Sequence, residues 1–232
     1  MSKRQFAIDF AGLSDLSTGH SRFEVKYLSR ASNLEAIELE LKGLCKTITY
    51  FGLGIQRYEN DYFDTNEFSS YYDHHQGTFP RTKTRIRTYN NSDSGFLEEK
   101  TKLSSGWSEK SRALVSDINL SEKLQGLMPV LKVTYNRIQF WHEESDSRVT
   151  IDTEIKFESL TGDKNSTSLD ELSIIEVKKM KRGITPVEST LKQFGIRPSS
   201  FSKYCIGIAM LVPRVKTNNF QHIIKQIKKW NS

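Results

Sequence analysis

The chain has 232 residues, a length suited to one domain, and its 13 Phe, 9 Tyr and 3 Trp set it apart from disordered sequences. No apolar run approaches the ~18 residues of a membrane span, and residues 1–20, which include Asp9 and Asp15, lack the apolar core of a signal peptide. A formal charge of +6 and a pI of about 9.2 fit an anionic partner without naming it, so the positions of the charges matter more than their sum.

Residues 1–20 read as a short lead-in. Residues 22–28 alternate polar and apolar side chains, the pattern of a strand. Over 33–48, Leu34, Ile37, Leu41, Leu44, Cys45 and Ile48 recur at helical spacing, with Ser32 or Asn33 as the N-cap. Residues 56–63 are extended, 66–72 form a turn of helix, and 81–89 form a strand whose hairpin turn is 90–95. Residues 96–103 return, Ser104-Ser105-Gly106 breaks the pairing, and 107–115 continue as strand. A helical stretch over 121–128 stops at Pro129. Strands follow over 131–141, 148–157 and 173–180, with a polar loop at 162–170. Residues 185–194 read as a helix with Pro186 in its first turn, and 202–211 are apolar enough to be buried. The last helix, 218–230, carries Phe220, Ile223, Ile224, Ile227 and Trp230 on one face and lysines opposite; such a helix docks over the domain or lies on a membrane. Cys45 and Cys205 match no zinc spacing and read as buried thiols. Many strands with few helices and no regular alternation argue for an α+β fold: a lead-in (1–20), one β-rich domain (21–212) and a C-terminal basic amphipathic helix (213–232).

The polar faces of these strands carry charge of an unusual kind. Arg81, Lys83, Arg85 and Arg87 share one face, opposite Thr82, Thr84, Ile86 and Thr88. Glu98, Lys100 and Lys102 share another, as do Arg22, Glu24 and Lys26, and Glu176 with Lys178. Arg148, Thr150, Asp152, Glu154 and Lys156 alternate with Val149, Ile151, Thr153, Ile155 and Phe157. Any one strand alone reads as a solvated face. Together they predict an antiparallel β-barrel whose mostly basic interior holds a threaded polyanion, with the helices at 33–48 and 185–194 packed on the apolar outer face.

The strings Tyr62-Phe63-Asp64-Thr65, Arg85-Ile86-Arg87-Thr88-Tyr89 and Glu98-Glu99-Lys100-Thr101 resemble the catalytic domain of the vacuolar transporter chaperone family. So do Tyr135-Asn136-Arg137, Arg148 through Glu154, Ile175-Glu176-Val177-Lys178 and Phe201-Ser202-Lys203-Tyr204. That family, a branch of the triphosphate tunnel metalloenzymes, makes inorganic polyphosphate from ATP. The resemblance runs from about residue 21 to 212 and implies the tunnel fold. It implies that Arg85, Arg87, Lys100, Arg137, Arg148, Lys178 and Lys203 grip the phosphates in catalysis, while Lys26, Lys83 and Tyr89 join them in binding substrate. The family's further cation falls at Lys110 or Arg112. Glu176 stands at the position of the metal-binding carboxylate for Mn²⁺ or Mg²⁺, and Glu24, Asp152 and Glu154 are further candidate ligands on the charged faces.

The chain departs from the pattern at two places. Tyr71-Tyr72 is followed by Asp73-His74-His75 where a basic residue is expected, so the charge there depends on pH if His74 takes its place. Arg22 stands where the hydrolase branch has a glutamate, which weakens a plain triphosphatase or adenylate cyclase reading. The resemblance implies ATP and inorganic polyphosphate as partners and a stand-alone module or a subunit of a separate membrane protein. Its place is then the cytoplasm, or the periphery of a membrane at its inner face. Two other readings stand beside polymerisation: hydrolysis in the same tunnel, and a non-catalytic polyphosphate or nucleotide-binding subunit. Nucleic-acid binding is disfavoured, because carboxylates interleaved with the cations suit a metal site better than a DNA backbone.

Overall fold

The computed structural model describes residues 7–10, 23–162 and 164–231. In chain order the elements are β1 (Ala7–Phe10), β2 (Phe23–Arg30), α1 (Leu34–Leu44), β3 (Lys46–Tyr50), β4 (Ile55–Asp64), α2 (Ser69–Gln76), β5 (Arg81–Tyr89), β6 (Phe96–Lys102), β7 (Ser108–Leu114), α3 (Leu120–Lys123), β8 (Met128–His142), β9 (Ser147–Ser159), β10 (Ser166–Leu169), β11 (Leu172–Lys179), α4 (Pro186–Gln193), β12 (Pro198–Ser199), α5 (Lys203–Leu211) and α6 (Gln221–Trp230). The strands join in one sheet ordered β12-β2-β11-β9-β8-β4-β5-β6-β7, with β10 on β9 and β3 joining β8 to β1. Every pairing is antiparallel except β1 with β3.

The sheet is not a ring closed by backbone hydrogen bonds among the described residues. It curls until its two wings meet through side chains: Lys100 on β6 lies 3.4 Å from Glu24 on β2. Lys83 on β5 donates to the Ser202 hydroxyl at 3.0 Å, just beyond β12. Paired residues of adjacent strands point to the same face. The register therefore gathers the charged side chains on the concave side: Glu24 faces Lys178, Lys26 faces Glu176, Arg85 faces Glu98 and Lys100 faces Lys110.

Two cores sit on the two faces of this sheet. On the convex side Tyr27, Phe140, Val149, Ile151, Ile175 and Val177 pack against Ile37 and Leu41 of α1 and Val187 and Leu191 of α4. This is the outer covering that the apolar strand faces predict. α4 is fixed at its start by a capping box, in which Thr185 accepts from the Glu188 amide and Glu188 from the Thr185 amide. The Glu188 carboxylate also receives the buried Lys179 ammonium at 2.6 Å and the Tyr27 hydroxyl at 3.0 Å, so charge inside this core is fully paired.

On the concave side α5 fills one end of the curl. Tyr204, Cys205, Ile206 and Ile208 join Leu131, Val133, Ile155 and Phe157 of the sheet in one core, with Phe220, Ile223, Ile224 and Ile227 from the α6 region. The C-terminal helix thus docks on the domain. Gly207 permits the close approach of α5, since a Cβ there would lie 2.7 Å from Leu131 Cδ2. Asp64, fully buried at the end of β4, accepts from the Ser70 and Tyr71 amides at 2.9 and 3.1 Å and from the Tyr204 hydroxyl, so one carboxylate caps α2 and ties it to α5.

Several boundaries differ from those read in the sequence. The helix expected over 33–48 ends at Leu44, because Cys45 is extended and the β-branched and aromatic run Thr47–Tyr50 forms β3. The loop expected at 162–170 contains β10, and the helix expected over 121–128 is a single turn. Cys205 is buried as expected and Cys45 is half-buried. Of the lead-in, Ala7–Phe10 pairs with β3; the rest of it, and Arg22, lie outside the described residues. No helix among the described residues is long and apolar enough to cross a membrane.

Candidate functional site

The concave face is lined by cations from β2, β5, β6, β7, β8, β9, β11 and the start of α5, held in place by a smaller number of carboxylates. Glu98 on β6 takes Arg85 through Nε and Nη2 at 2.9 and 2.6 Å, with Arg87 at 3.4 Å and Arg112 at 3.6 Å. Burial alone would raise this carboxyl; Arg85 and Arg87 outweigh it and hold it near 2. Tyr62 accepts from Arg85 at 2.9 Å, Asn60 from Arg87 at 2.8 Å, and the buried Tyr89 accepts from Arg112 at 3.1 Å. Tyr89 therefore reaches the site through Arg112. The register that the sequence left open admits both cations: Arg112 pairs with Glu98 and Lys110 with Lys100.

A second group forms across β8, β9 and α5. Arg137 donates to Asp152 at 2.5 and 2.8 Å, and Lys203 donates to the same carboxylate. Arg137 also lies over the rings of Tyr58 and Tyr135, 4.8 and 5.2 Å from their centroids. Arg148 shares this face two pairs further along and donates to the Tyr50 hydroxyl at 3.1 Å and to Gln139.

The third group is the carboxylate pair of β2 and β11. Lys26 lies between Glu24, at 3.1 Å, and Glu176, at 3.5 Å, while Lys178 contacts Glu176 at 2.6 Å. Burial raises the Glu176 carboxyl, but Lys178 and Lys26 more than offset this and keep it well below the ordinary carboxylate range. Glu24 is lowered too, against burial and the repulsion of Glu176, by Lys26, Lys100 and Lys178. Two ionised carboxylates that feel each other across adjacent strands are oxygen donors for a hard divalent cation. Thr150, paired with Glu176 across β9 and β11, has a buried hydroxyl without a hydrogen-bond partner among the described residues. Among the described residues no group of three or more His, Cys, Asp or Glu side chains forms a ligand cage. The pair therefore fits Mg²⁺ or Mn²⁺ held by two carboxylates, with phosphate oxygens and water completing the shell, which is how such ions are commonly bound beside phosphates.

The four expected metal ligands do not gather in one place among the described residues. Asp152 is buried and belongs to the second group, where it accepts from Arg137 and Lys203. Glu154 is exposed, because a bulge at its φ of 50° shifts the β8–β9 register between Thr134 and Asn136 and turns it out of the concave face. Ile155 and Phe157 take the inward positions beyond it, where α5 packs.

Lys83, Lys110 and Lys203 are pushed below the ordinary lysine value. Burial is the first cause in each; neighbouring cations add to it, Lys26 and Lys100 at Lys83, Lys178 and Lys100 at Lys110, and Arg137 at Lys203. Lys83 donates to His74 Nδ1 at 2.9 Å as well as to Ser202. Burial, then Lys83, Arg81, Lys102 and Lys26, push His74 down to about 3, so the position expected to be basic holds a neutral imidazole at neutral pH. Glu98, Asn60 and Tyr62 are the site residues that sequence reasoning missed. Glu98 was visible on the charged face of its strand, but its partners sit on two other strands. Asn60 and Tyr62 carried no charge to draw notice.

Comparison with known proteins agrees with this architecture. The VTC domain family model matches residues 21–126 and 109–212. No curated protein matches the chain by sequence. Among solved structures, a putative adenylate cyclase from Vibrio parahaemolyticus is similar in fold, with 15% identity, a TM-score of 0.53, and coverage of 82% of this chain and 99% of that one. A putative adenylyl cyclase from Hippeastrum, described as having a dominant triphosphatase activity, is similar at 16% identity and a TM-score of 0.49, covering 83% of this chain and 98% of that one.

Proposed function

The chain belongs to the VTC domain family, and from that premise we propose that it is a polyphosphate polymerase, transferring the terminal phosphoryl group of ATP to a growing inorganic polyphosphate chain inside the curled sheet. The family places the chain among tunnel-fold proteins acting on phosphates. The observation that carries the reading further is the surplus of positive charge on the concave face, where three lysines are already pushed down by burial and by other cations. Such a face is made for a polyanion that runs along it.

Phosphoryl transfer asks a protein mainly to position the phosphates and neutralise their charge. Arg85 and Arg87, oriented by Glu98, present planar guanidinium groups to phosphate oxygens, and Lys100, Lys178 and Lys203 act as point charges. A terminal oxygen of the acceptor chain attacks the γ-phosphorus of ATP. The bond from that phosphorus to the β–γ bridging oxygen breaks, and ADP leaves with the electron pair. The acceptor is already ionised, so no general base is required. Glu24 and Glu176 would hold Mn²⁺ or Mg²⁺, which when bound offsets charge on the reacting phosphates. A separate membrane-protein subunit as partner belongs to the same proposal.

Incubating the purified protein with ATP and Mn²⁺ and staining a polyacrylamide gel for polyphosphate tests it. A ladder of chains is the expected result. Release of phosphate without chains would replace the polymerase with a tunnel hydrolase, and neither product would leave a phosphate-binding subunit.

A further inference from the structure

The ladder between β2 and β12 is two residue pairs long, Tyr27 with Pro198 and Lys26 with Ser199. Ahead of Pro198 the chain leaves α4 through Gly195, whose φ of 71° turns it, and among the described residues 194–197 make no pair with Leu28, Ser29 or Arg30. Between these two stretches lies a cavity of about 390 Å³, a volume in the range of small-molecule sites. Gln226 and Trp230, one turn apart on α6, close it from a third side. Leu28 is buried between Lys26 and Arg30 on one face of β2, and none of the cations of the three phosphate-facing groups lines the cavity, so it is separate from the curl. Its charge is arranged differently as well. Arg30 and Arg197 stand on its two strand-side walls, and no carboxylate lines it. Neither arginine has a carboxylate within ion-pair distance among the described residues, whereas Arg85, Arg87 and Arg137 are each held by one. Arg30 lies over the Trp230 ring, 6.0 Å from its centroid, and Phe194, Ile196 and Pro198 add apolar surface opposite.

We infer that this cavity is a second ligand site, for a small dianion carried on a planar or apolar body. Arg30 and Arg197 take the charge, and Trp230 with the apolar wall takes the body. Two guanidinium forks offer paired N–H donors to a phosphate monoester and to a dicarboxylate alike. A single negative charge would leave one arginine unanswered. A bare inorganic ion would leave the indole and the apolar wall in water, and so forgo the burial that favours a bodied ligand. The inference goes beyond the tunnel reading and does not depend on it.

Nitrogen–proton correlation NMR of the full chain tests the site, followed at the Trp230 indole N–H and assigned with Trp230→Phe. The probes are phenyl phosphate, phthalate, inorganic phosphate and phenol, at about pH 7.5, where a phosphate monoester is largely dianionic. Phenyl phosphate or phthalate should shift the Trp230 signal to saturation below about 10 mM; which of the two binds tells a phosphate monoester from a dicarboxylate. Phenol, which has the ring without the charge, should leave the signal in place, and inorganic phosphate should bind at least about fivefold more weakly than phenyl phosphate. Arg30→Gln and Arg197→Gln should each weaken the better probe about tenfold, within what one hydrogen bond between charged groups contributes. Three results would overturn the site: no saturable shift at Trp230 with either dianion, inorganic phosphate binding as well as phenyl phosphate, or wild-type affinity in both arginine variants. Should either glutamine variant fail to fold, Arg30→Met or Arg197→Met carries the same expectation.

Discussion

At Glu98 one carboxylate answers three guanidinium groups, and at His74 burial and four neighbouring cations keep a fifth charge of their own sign from forming. Both residues link folding to protons. The unfolded chain takes up a proton on histidine near pH 6.5, whereas the folded protein resists until about 3, so the unfolded state binds more protons between those values. Stability contributed by neutral His74 is full above 6.5 and is lost as pH falls through that window. Glu98 follows with the sign usual for a depressed carboxyl: its stabilisation is full above 4.5 and is lost toward 2. Urea midpoints measured from pH 7 to 4 should decline over this range, and His74→Gln should flatten the part between 6.5 and 5. An unchanged slope in that variant would mean that His74 is solvated and free to charge. The sequence shows that a histidine stands where a cation is expected. It does not show that burial, and the charge of Lys83 nine residues on, keep it neutral.

Within elements, alternation was the most legible signal. It put Arg81, Lys83, Arg85 and Arg87 on one face of β5, and their cross-strand partners on β6 and β7 fall on the same side. It failed in β9, where period-two reading ran Arg148, Asp152 and Glu154 on as one face. The positive φ at Glu154 inserts one residue against Tyr135, and every side chain beyond it changes sides. A β-bulge with a non-glycine residue leaves no mark in the hydrophobic pattern. The purpose of the bulge is visible only from α5, which needs Ile155 and Phe157 beneath it. Gly207 is where that helix touches the sheet most closely. Gly207→Val gains a few tenths of a kcal/mol in helix propensity but forces methyl groups into Leu131 and Phe157, at a cost of roughly 2 kcal/mol. For a chain of this size that lowers the melting temperature by roughly 4–8 °C. Thermal unfolding by circular dichroism measures it, and a melting temperature equal to the wild type would show that α5 packs less tightly than the close approach implies.

Across the whole molecule the apolar account is ordinary and the electrostatic one is not. The convex face buries its hydrophobic residues under α1 and α4, and the one end of the concave face filled by α5 is equally apolar. Between them lies a wall on which cations outnumber carboxylates, and its excess is felt as depressed lysines at Lys83, Lys110 and Lys203. Charge of one sign gathered in this way stabilises nothing in the free protein; it is a feature of binding that the fold tolerates. The stability of the protein should therefore depend strongly on its ligand. At tripolyphosphate concentrations about 100 times the dissociation constant, linkage adds about 2.7 kcal/mol, a rise of roughly 5–11 °C in melting temperature. Lys110 is the position at which to separate the two effects, because it lies on β7 at the end of the sheet and its ammonium is opposed by Lys178 and Lys100. Lys110→Gln should melt at or above the wild-type temperature when free, yet gain less from tripolyphosphate. If that variant instead melts lower in the free state, the local field at the wall is set by Glu24 and Glu176, the attractive partners of Lys110, and the surplus is confined to the end near Lys83.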